Sequence, residues 1–278
     1  MVINDNLGKR MKENYEDIFK NKLMRRTPVI IRLDGKAFHT FTKGFNKPFD
    51  KVLSNTMADT MKFLCESIQG CIFGYCQSDE ISLLLTDYKT FETEAWFDYE
   101  VQKVCSVSAA IATLAFNRLF SMYIDNYVGE LLKAKEYSIE DERKYISTLN
   151  NALNRGALFD SRCFNIPKEE VANYFYWRQL DAMRNSIQMV GQANFSHKEL
   201  QNKSCNDIQN MLLTQKDINW NNMPTYQKRG SACVRYEDCV EYPDGTHVLR
   251  NKWKIDKEIP IFKNEGREYI EKLIYFEE

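Results

Sequence analysis

Between residues 28 and 85 the apolar positions change period three times. The run PVIIRLDG, Pro28 to Gly35, is β-branched and nearly uninterrupted, as a buried strand is, and it ends in an Asp-Gly turn. The following KAFHTFTKGF does not alternate like a returning hairpin strand, so it reads as a turn and a short helix or loop. From Asp50 to Ile68, Val52, Leu53, Met57, Met61, Leu64 and Ile68 recur at helical spacing, with Asp50 placed to cap the start. CIFGYCQSDEISLLL then sets two short apolar runs around Gln77-Ser78-Asp79-Glu80, the pattern of a hairpin with two acids at its tip.

Tyr99 to Val128 is apolar on most faces and contains the small-residue run SVSAAIATLA, which predicts a buried helix. Residues 129–157 are far more polar and read as an exposed helical hairpin or insertion. LFDSRCFNIP reads as a core strand ended by Pro167. KEEVANYFYWRQLDAMRNSIQMVGQANF reads as a long helix with an acidic first turn. The tail from Leu200 mixes short helices and strands. Strand, helix, hairpin, helix, strand, helix is an α+β order. It predicts a palm-type, ferredoxin-like antiparallel sheet with helices packed on one face, plus a smaller C-terminal α/β extension. Residues 1–140 would carry the palm-type region and 141–278 its completion and the extension. With no linker, repeat or low-complexity tract to mark a boundary, a single domain is the alternative.

A chain of 278 residues, 44% hydrophobic, buries a sizeable core. Its charged start lacks the apolar run of a signal peptide, and no stretch reads as a membrane span, so a soluble cytoplasmic protein with no membrane partner is expected. Eight cysteines without a CxxC pair point to reduced thiols rather than disulfides or a zinc site. With 38 basic and 39 acidic residues there is no global positive field, so any RNA contact must come from local patches.

Asp34 at the end of the first strand and Asp79 at the hairpin tip stand where a palm-type polymerase places the carboxylates that bracket two divalent cations and substrate phosphates. Gly35 has no side chain to block its carbonyl, a further hard ligand, and the amides after it suit phosphates. Ser78 could add a hydroxyl. Glu80 would point to the opposite face of a regular strand, which weakens its case as a ligand. Asp-Gly is also a common turn and Ser-Asp-Glu a common exposed tip, so spacing alone leaves turn acids and a metal site both open.

VIIRLDGKAFHTFTKGFNKPFD followed by GYCQSDEISLLL closely resembles the catalytic core of the tRNA(His) guanylyltransferase superfamily, the 3'-to-5' nucleotide-adding polymerases. LFDSRCFNIP, YFYWRQLDAMRNSIQ, FSHKELQNKS and INWNNMPTYQKRGSACVR continue the resemblance in order. It implies that Asp34, the Gly35 carbonyl and Asp79 hold two magnesium ions, with Asp34, Asp79 and Glu80 as the catalytic acids. It implies a nucleotide site formed by Asp34, Gly35, Lys36, Ala37, Phe38, His39, Ser78 and Asp79, with Lys47 on the triphosphate, and GTP and ATP as substrates. The tRNA 5' end is the implied partner and a homotetramer the implied assembly.

One stretch departs from the pattern. Guanylyltransferases proper carry an HINNLYN-type sequence where this chain has Met183-Arg184-Asn185-Ser186-Ile187-Gln188-Met189. That form resembles the guanylyltransferase-like branch associated with template-dependent repair of 5'-truncated tRNA. Asn185 and Arg184 would then meet nucleotide or a 5' phosphate, with mid-helix side chains simply facing solvent as the plain alternative. Lys228, Arg229 and Arg235 form a candidate RNA patch in the C-terminal extension, with a solvated turn as the plain alternative. Trp177 and Tyr176 would stack on a base or fill the core. The rival functions are a guanylyltransferase proper that adds a single G, a palm-type nucleotide cyclase, and an RNA-binding module that keeps a vestigial palm.

Overall fold

Val29–Gly35 forms β1, and its nearly unbroken apolar run has a direct cause: Val29, Ile31 and Leu33 enter the core on one face of the sheet while Ile30 enters the core on the other. The computed structural model describes residues 6–133, 139–241 and 247–276. Helix α1 (Asn6–Met11) precedes β1, and α2 (Phe38–Phe41), α3 (Lys51–Ser67), β2 (Cys71–Gln77), β3 (Glu80–Leu85), α4 (Val101–Lys133) and α5 (Ile139–Arg155) follow. Then come β4 (Phe159–Asn165), α6 (Lys168–Asn194), α7 (His197–Leu200), α8 (Cys205–Lys216), α9 (Thr225–Arg229), β5 (Ser231–Glu241), β6 (His247–Asp256) and α10 (Glu268–Glu271).

The strands make one antiparallel sheet in the order β4-β1-β3-β2-β5-β6. Its first four strands, with α3 and α4 as crossovers, have the expected ferredoxin-like topology, so the α+β class stands. The sheet is longer than expected, because β5 pairs with β2 through Gly74↔Cys233 and carries β6 beyond it.

Helices cover both faces rather than one. Met57, Met61 and Leu64 of α3 and Val104, Phe116 and Phe120 of α4 pack with Ile31, Leu33, Ile81 and Leu83. On the other face Val171 and Phe175 of α6, with Phe262 and Ile270, pack with Ile30, Phe73, Tyr75 and Leu84. A sheet whose central strands are apolar on both sides needs two covers. Gly74 lets α3 come close: a Cβ there would lie 2.6 Å from Cys65 Sγ and 3.0 Å from Met61.

Three local expectations change. α4 buries one stripe, Val104, Ser108, Ala112, Phe116, Phe120 and Ile124, and leaves Leu114 and Met122 exposed, so it is not buried all round. By length and composition alone it would also suit a membrane span, contrary to the sequence expectation, but its buried stripe packs on the sheet. α5 is not merely an exposed insertion, since Tyr145, Leu149 and Ala152 are buried at helical spacing. β4 is an edge strand with exposed positions rather than a core strand.

Candidate active site

At the end of β1 the chain turns sharply. The Gly35 N–H donates to the Asp79 carbonyl at 3.1 Å and the Lys36 N–H to the Leu158 carbonyl at 2.8 Å, tying the turn to the hairpin tip and to the start of β4. Gly35 is required for packing as well as access: a Cβ there would lie 2.3 Å from the Phe38 ring. Phe38 is buried against Phe41, Phe116 and Phe159, with ring centroids 5.1 to 5.4 Å apart, and this anchors α2 beside the turn. Ala37, in the left-handed region at φ 55°, starts that helix. With Gly35 and Lys36 committed, the amides of Ala37, Phe38 and His39 have no acceptor among the described residues. Three such donors in succession are suited to an anion.

The loop continues to the start of α3. His39 and Lys47 are exposed along it. Asp50 closes it: one carboxylate oxygen accepts from the Leu53 N–H at 2.9 Å, capping α3, and the other from the Asn46 N–H at 3.1 Å and the Tyr145 hydroxyl at 2.6 Å.

The register puts acids side by side. Asp34 faces Glu80 on β3 and Asp160 on β4, and directly opposed residues share a face, here the one covered by α6. Glu80 therefore lies on Asp34's face of the sheet. It is buried and accepts from Arg32 Nη2 at 2.5 Å, and its other oxygen lies 2.8 Å from Arg178 Nε as an ion pair without hydrogen-bond alignment. Asp160 pairs with Arg162 at 2.9 Å. Asp181 accepts from Arg178 at 2.6 Å and from Arg184 at 2.5 Å.

Asp34 and Asp79 have no such partner among the described residues. Burial pushes the Asp79 carboxyl above its usual range, the Ser78 hydroxyl and its own backbone N–H pull it back, and the charge of Asp34 adds to the rise. Burial likewise raises Glu80, against the pull of Arg178 and Arg32. No cage of three His, Cys, Asp or Glu side chains exists among the described residues. Two uncompensated carboxylates beside a backbone carbonyl nonetheless suit magnesium, which typically takes one or two carboxylates and fills its remaining positions with phosphates and water.

Ser78, left-handed and exposed, borders a cleft between α3, β2, α6 and α9, lined by Ser54, Met57, Gln77, Asn185 and Tyr226 among others. Asn185 is thus brought to the hairpin tip. The candidate RNA residues are not gathered into one free patch: Arg229 Nε donates to the Ile259 carbonyl at 3.1 Å and Arg235 Nη2 to that of Cys71 at 2.8 Å. Lys228 Nζ donates to the Asn221 carbonyl at 2.5 Å, while Arg184 is exposed at Asp181. Sequence reasoning missed Asp160, Arg162 and Arg178. The Asp-x-Arg alternation in an otherwise apolar strand was a usable signal for the first two.

A tRNAHis guanylyltransferase family model matches residues 8–167, which include β1 to β4. The chain belongs to this family. It is similar to a bacterial tRNA(His) guanylyltransferase-like protein solved in complex with ATP, at 40% identity and TM-score 0.76, covering 97% of this chain and 99% of that one. A structure of the same description in complex with GTP matches at 38% identity and TM-score 0.74, over 98% and 100% of the two chains. The tRNA(His) guanylyltransferase of Saccharomyces cerevisiae is 27% identical over 221 residues, 74% of this chain and 82% of its own. The chain is accordingly a nucleotidyltransferase of the guanylyltransferase family, and Asp34, Lys47, Asp79 and Asp160 fall within the matched segment.

Proposed function

We propose that this nucleotidyltransferase is a magnesium-dependent 3'-to-5' enzyme that adds nucleotides to the 5' end of tRNA, and that its task is template-dependent repair of 5'-truncated tRNA. The observation that carries the reading is the pair of uncompensated carboxylates, Asp34 and Asp79, beside the free amides of residues 37–39. The amides of Ala37, Phe38 and His39, with Lys47 and Ser78, hold the triphosphate of GTP or ATP. Asp34, Asp79 and the Gly35 carbonyl hold magnesium, and bound magnesium offsets phosphate charge and makes a hydroxyl more acidic.

A tRNA 5'-monophosphate is first activated by ATP. The 3'-hydroxyl of the incoming nucleotide then attacks the activated 5' phosphorus, and AMP, or pyrophosphate from a 5'-triphosphate end, leaves. The chain's contribution is positioning, and no side chain acts as a covalent nucleophile. Arg184 is an exposed cation available to the RNA, whereas Lys228, Arg229 and Arg235 each donate to a backbone carbonyl. The RNSIQ sequence, with Asn185 at the cleft beside Ser78, supports repair over invariant G addition. The same reading takes the working form as a cytoplasmic homotetramer.

The test is addition to matched full-length and 5'-truncated tRNAs with each of the four triphosphates. Repair requires the added base to follow the opposing 3' strand, and loss of addition in Asp34→Ala and Asp79→Ala. Invariant G addition would make the protein a guanylyltransferase proper. A cyclic product formed without RNA would make it a cyclase.

A further inference from the structure

The α6 face of the sheet carries a feature that nucleotide binding does not use. Trp177 lies on the flank of α6, after the turn that buries Tyr174 and Phe175, and stays 51% exposed. Its ring meets Tyr174 at a centroid distance of 5.9 Å, and two guanidiniums approach it, Arg178 at 4.2 Å and Arg32 at 5.9 Å. Those are the two arginines bound to Glu80, the cross-strand neighbour of Asp34. One side chain therefore separates the indole from the carboxylate row. Arg162, half exposed, is the cross-strand neighbour of Arg32 on the same face. Arg184, 61% exposed, stands seven residues after Trp177, on the same side of the helix.

We propose that Trp177 is the stacking platform for the end nucleobase of the RNA whose 5' phosphate reacts at Asp34 and Asp79, with Arg162 and Arg184 as its phosphate contacts. The proposal rests on the function proposed above. A half-exposed aromatic ring with one guanidinium close against it, and two further exposed arginines on the same face, suits a stacked base and its phosphates, and stacking tolerates any base, as a repair enzyme acting on many ends requires. The two sides of the carboxylate row then divide the work. The free amides and Lys47 lie on the loop that leads into α3, which covers the other face, and they take the triphosphate. The α6 face takes the RNA.

The experiment is a titration of tryptophan fluorescence with 5'-monophosphorylated, 5'-truncated tRNA without triphosphate, run beside steady-state kinetics. The native protein should show quenching that Trp177→Phe loses. Trp177→Ala and Trp177→Leu should raise KM for tRNA roughly tenfold with KM for GTP unchanged, and Trp177→Phe should restore most of the affinity. An unchanged tRNA KM in Trp177→Ala, an equal rise in the GTP KM, or a changed sedimentation coefficient, which would mark the ring as a subunit contact, overturns the proposal. If the native protein extends no tRNA, the function proposed above fails. The platform then stands or falls on the quenching alone.

Discussion

Glu80, Asp160 and Asp181 each face a guanidinium, so their charges are spent inside the protein, whereas among the described residues Asp34 and Asp79 pair with no cation. Two neighbouring partly buried carboxylates repel, and the raised Asp79 carboxyl records that cost, burial first and Asp34 after it. Between the usual aspartate value and the raised one, the folded state binds more protons than the unfolded. Stability therefore falls as pH rises through that window and stays reduced at neutral pH. Asp79→Asn should accordingly raise Tm at pH 7 while abolishing nucleotide addition, and magnesium should raise the Tm of the native protein only. Thermal melts with and without magnesium check this, and a lower Tm in the variant would count against it. Glu80 differs in its partners, since two guanidiniums face it, although burial raises its carboxyl as well. Glu80→Gln takes the charged acceptor from Arg32 and one of the two carboxylates from buried Arg178, which keeps Asp181, and should cost about 1.5 to 3 kcal/mol in urea unfolding, whatever its effect on turnover. The two aspartates were legible as an Asp-Gly turn and a hairpin tip. Their difference from Glu80 was not, because it depends on strand register and on an arginine supplied from a distant helix.

Among the elements, α3 and α6 were legible because each has a sustained apolar stripe and a clear start, Asp50 for one and an acidic first turn for the other. α5 was read as exposed because its anchors, Tyr145, Leu149 and Ala152, are few in a polar sequence. β5 and β6 were blurred because charges alternate along a mostly exposed ribbon, where a pair such as Lys252 and Asp238 gives no apolar period. α5 bears on the proposed nucleotide site, since its Tyr145 hydroxyl donates to the Asp50 carboxylate that ends the loop proposed to hold the triphosphate. Tyr145→Phe removes one hydrogen bond to a charged acceptor, worth about 2 kcal/mol, while Asp50 still caps α3. Helix content should be unchanged by circular dichroism. KM for GTP should rise several-fold and KM for tRNA should hold. An equal rise in both would show that the tie serves the fold in general rather than this loop.

At the scale of the whole molecule, the chain's two halves meet in one sheet. β1 is flanked by β3 and by β4 from beyond residue 157, and β2 by β3 and by β5 from beyond residue 230. Ile30, Phe73 and Leu84 are covered by Val171, Phe175 and Phe262, all from the second half. A chain cut after residue 157 would bare that face. Each large apolar side chain returned to water costs about 1.5 to 3 kcal/mol. Exposing Ile30, Phe73, Tyr75 and Leu84 together is then comparable to the roughly 5 to 15 kcal/mol that stabilises a typical domain. The fragment 1–157 should therefore lack a cooperative melt, although it holds Asp34, Asp79 and nearly all of the motif that first suggested the site. The full chain should unfold in urea in one step, with far-ultraviolet circular dichroism and tryptophan fluorescence superimposed. Of its indoles, Trp96 belongs to the first half and Trp177, Trp220 and Trp253 to the second, so two independent halves would separate the two signals. A resolved second transition, or a fragment that melts cooperatively, would place a domain boundary near the middle of the chain. Asp34 and Asp79, the carboxylates proposed to hold magnesium, would then not need α6 to be held in place.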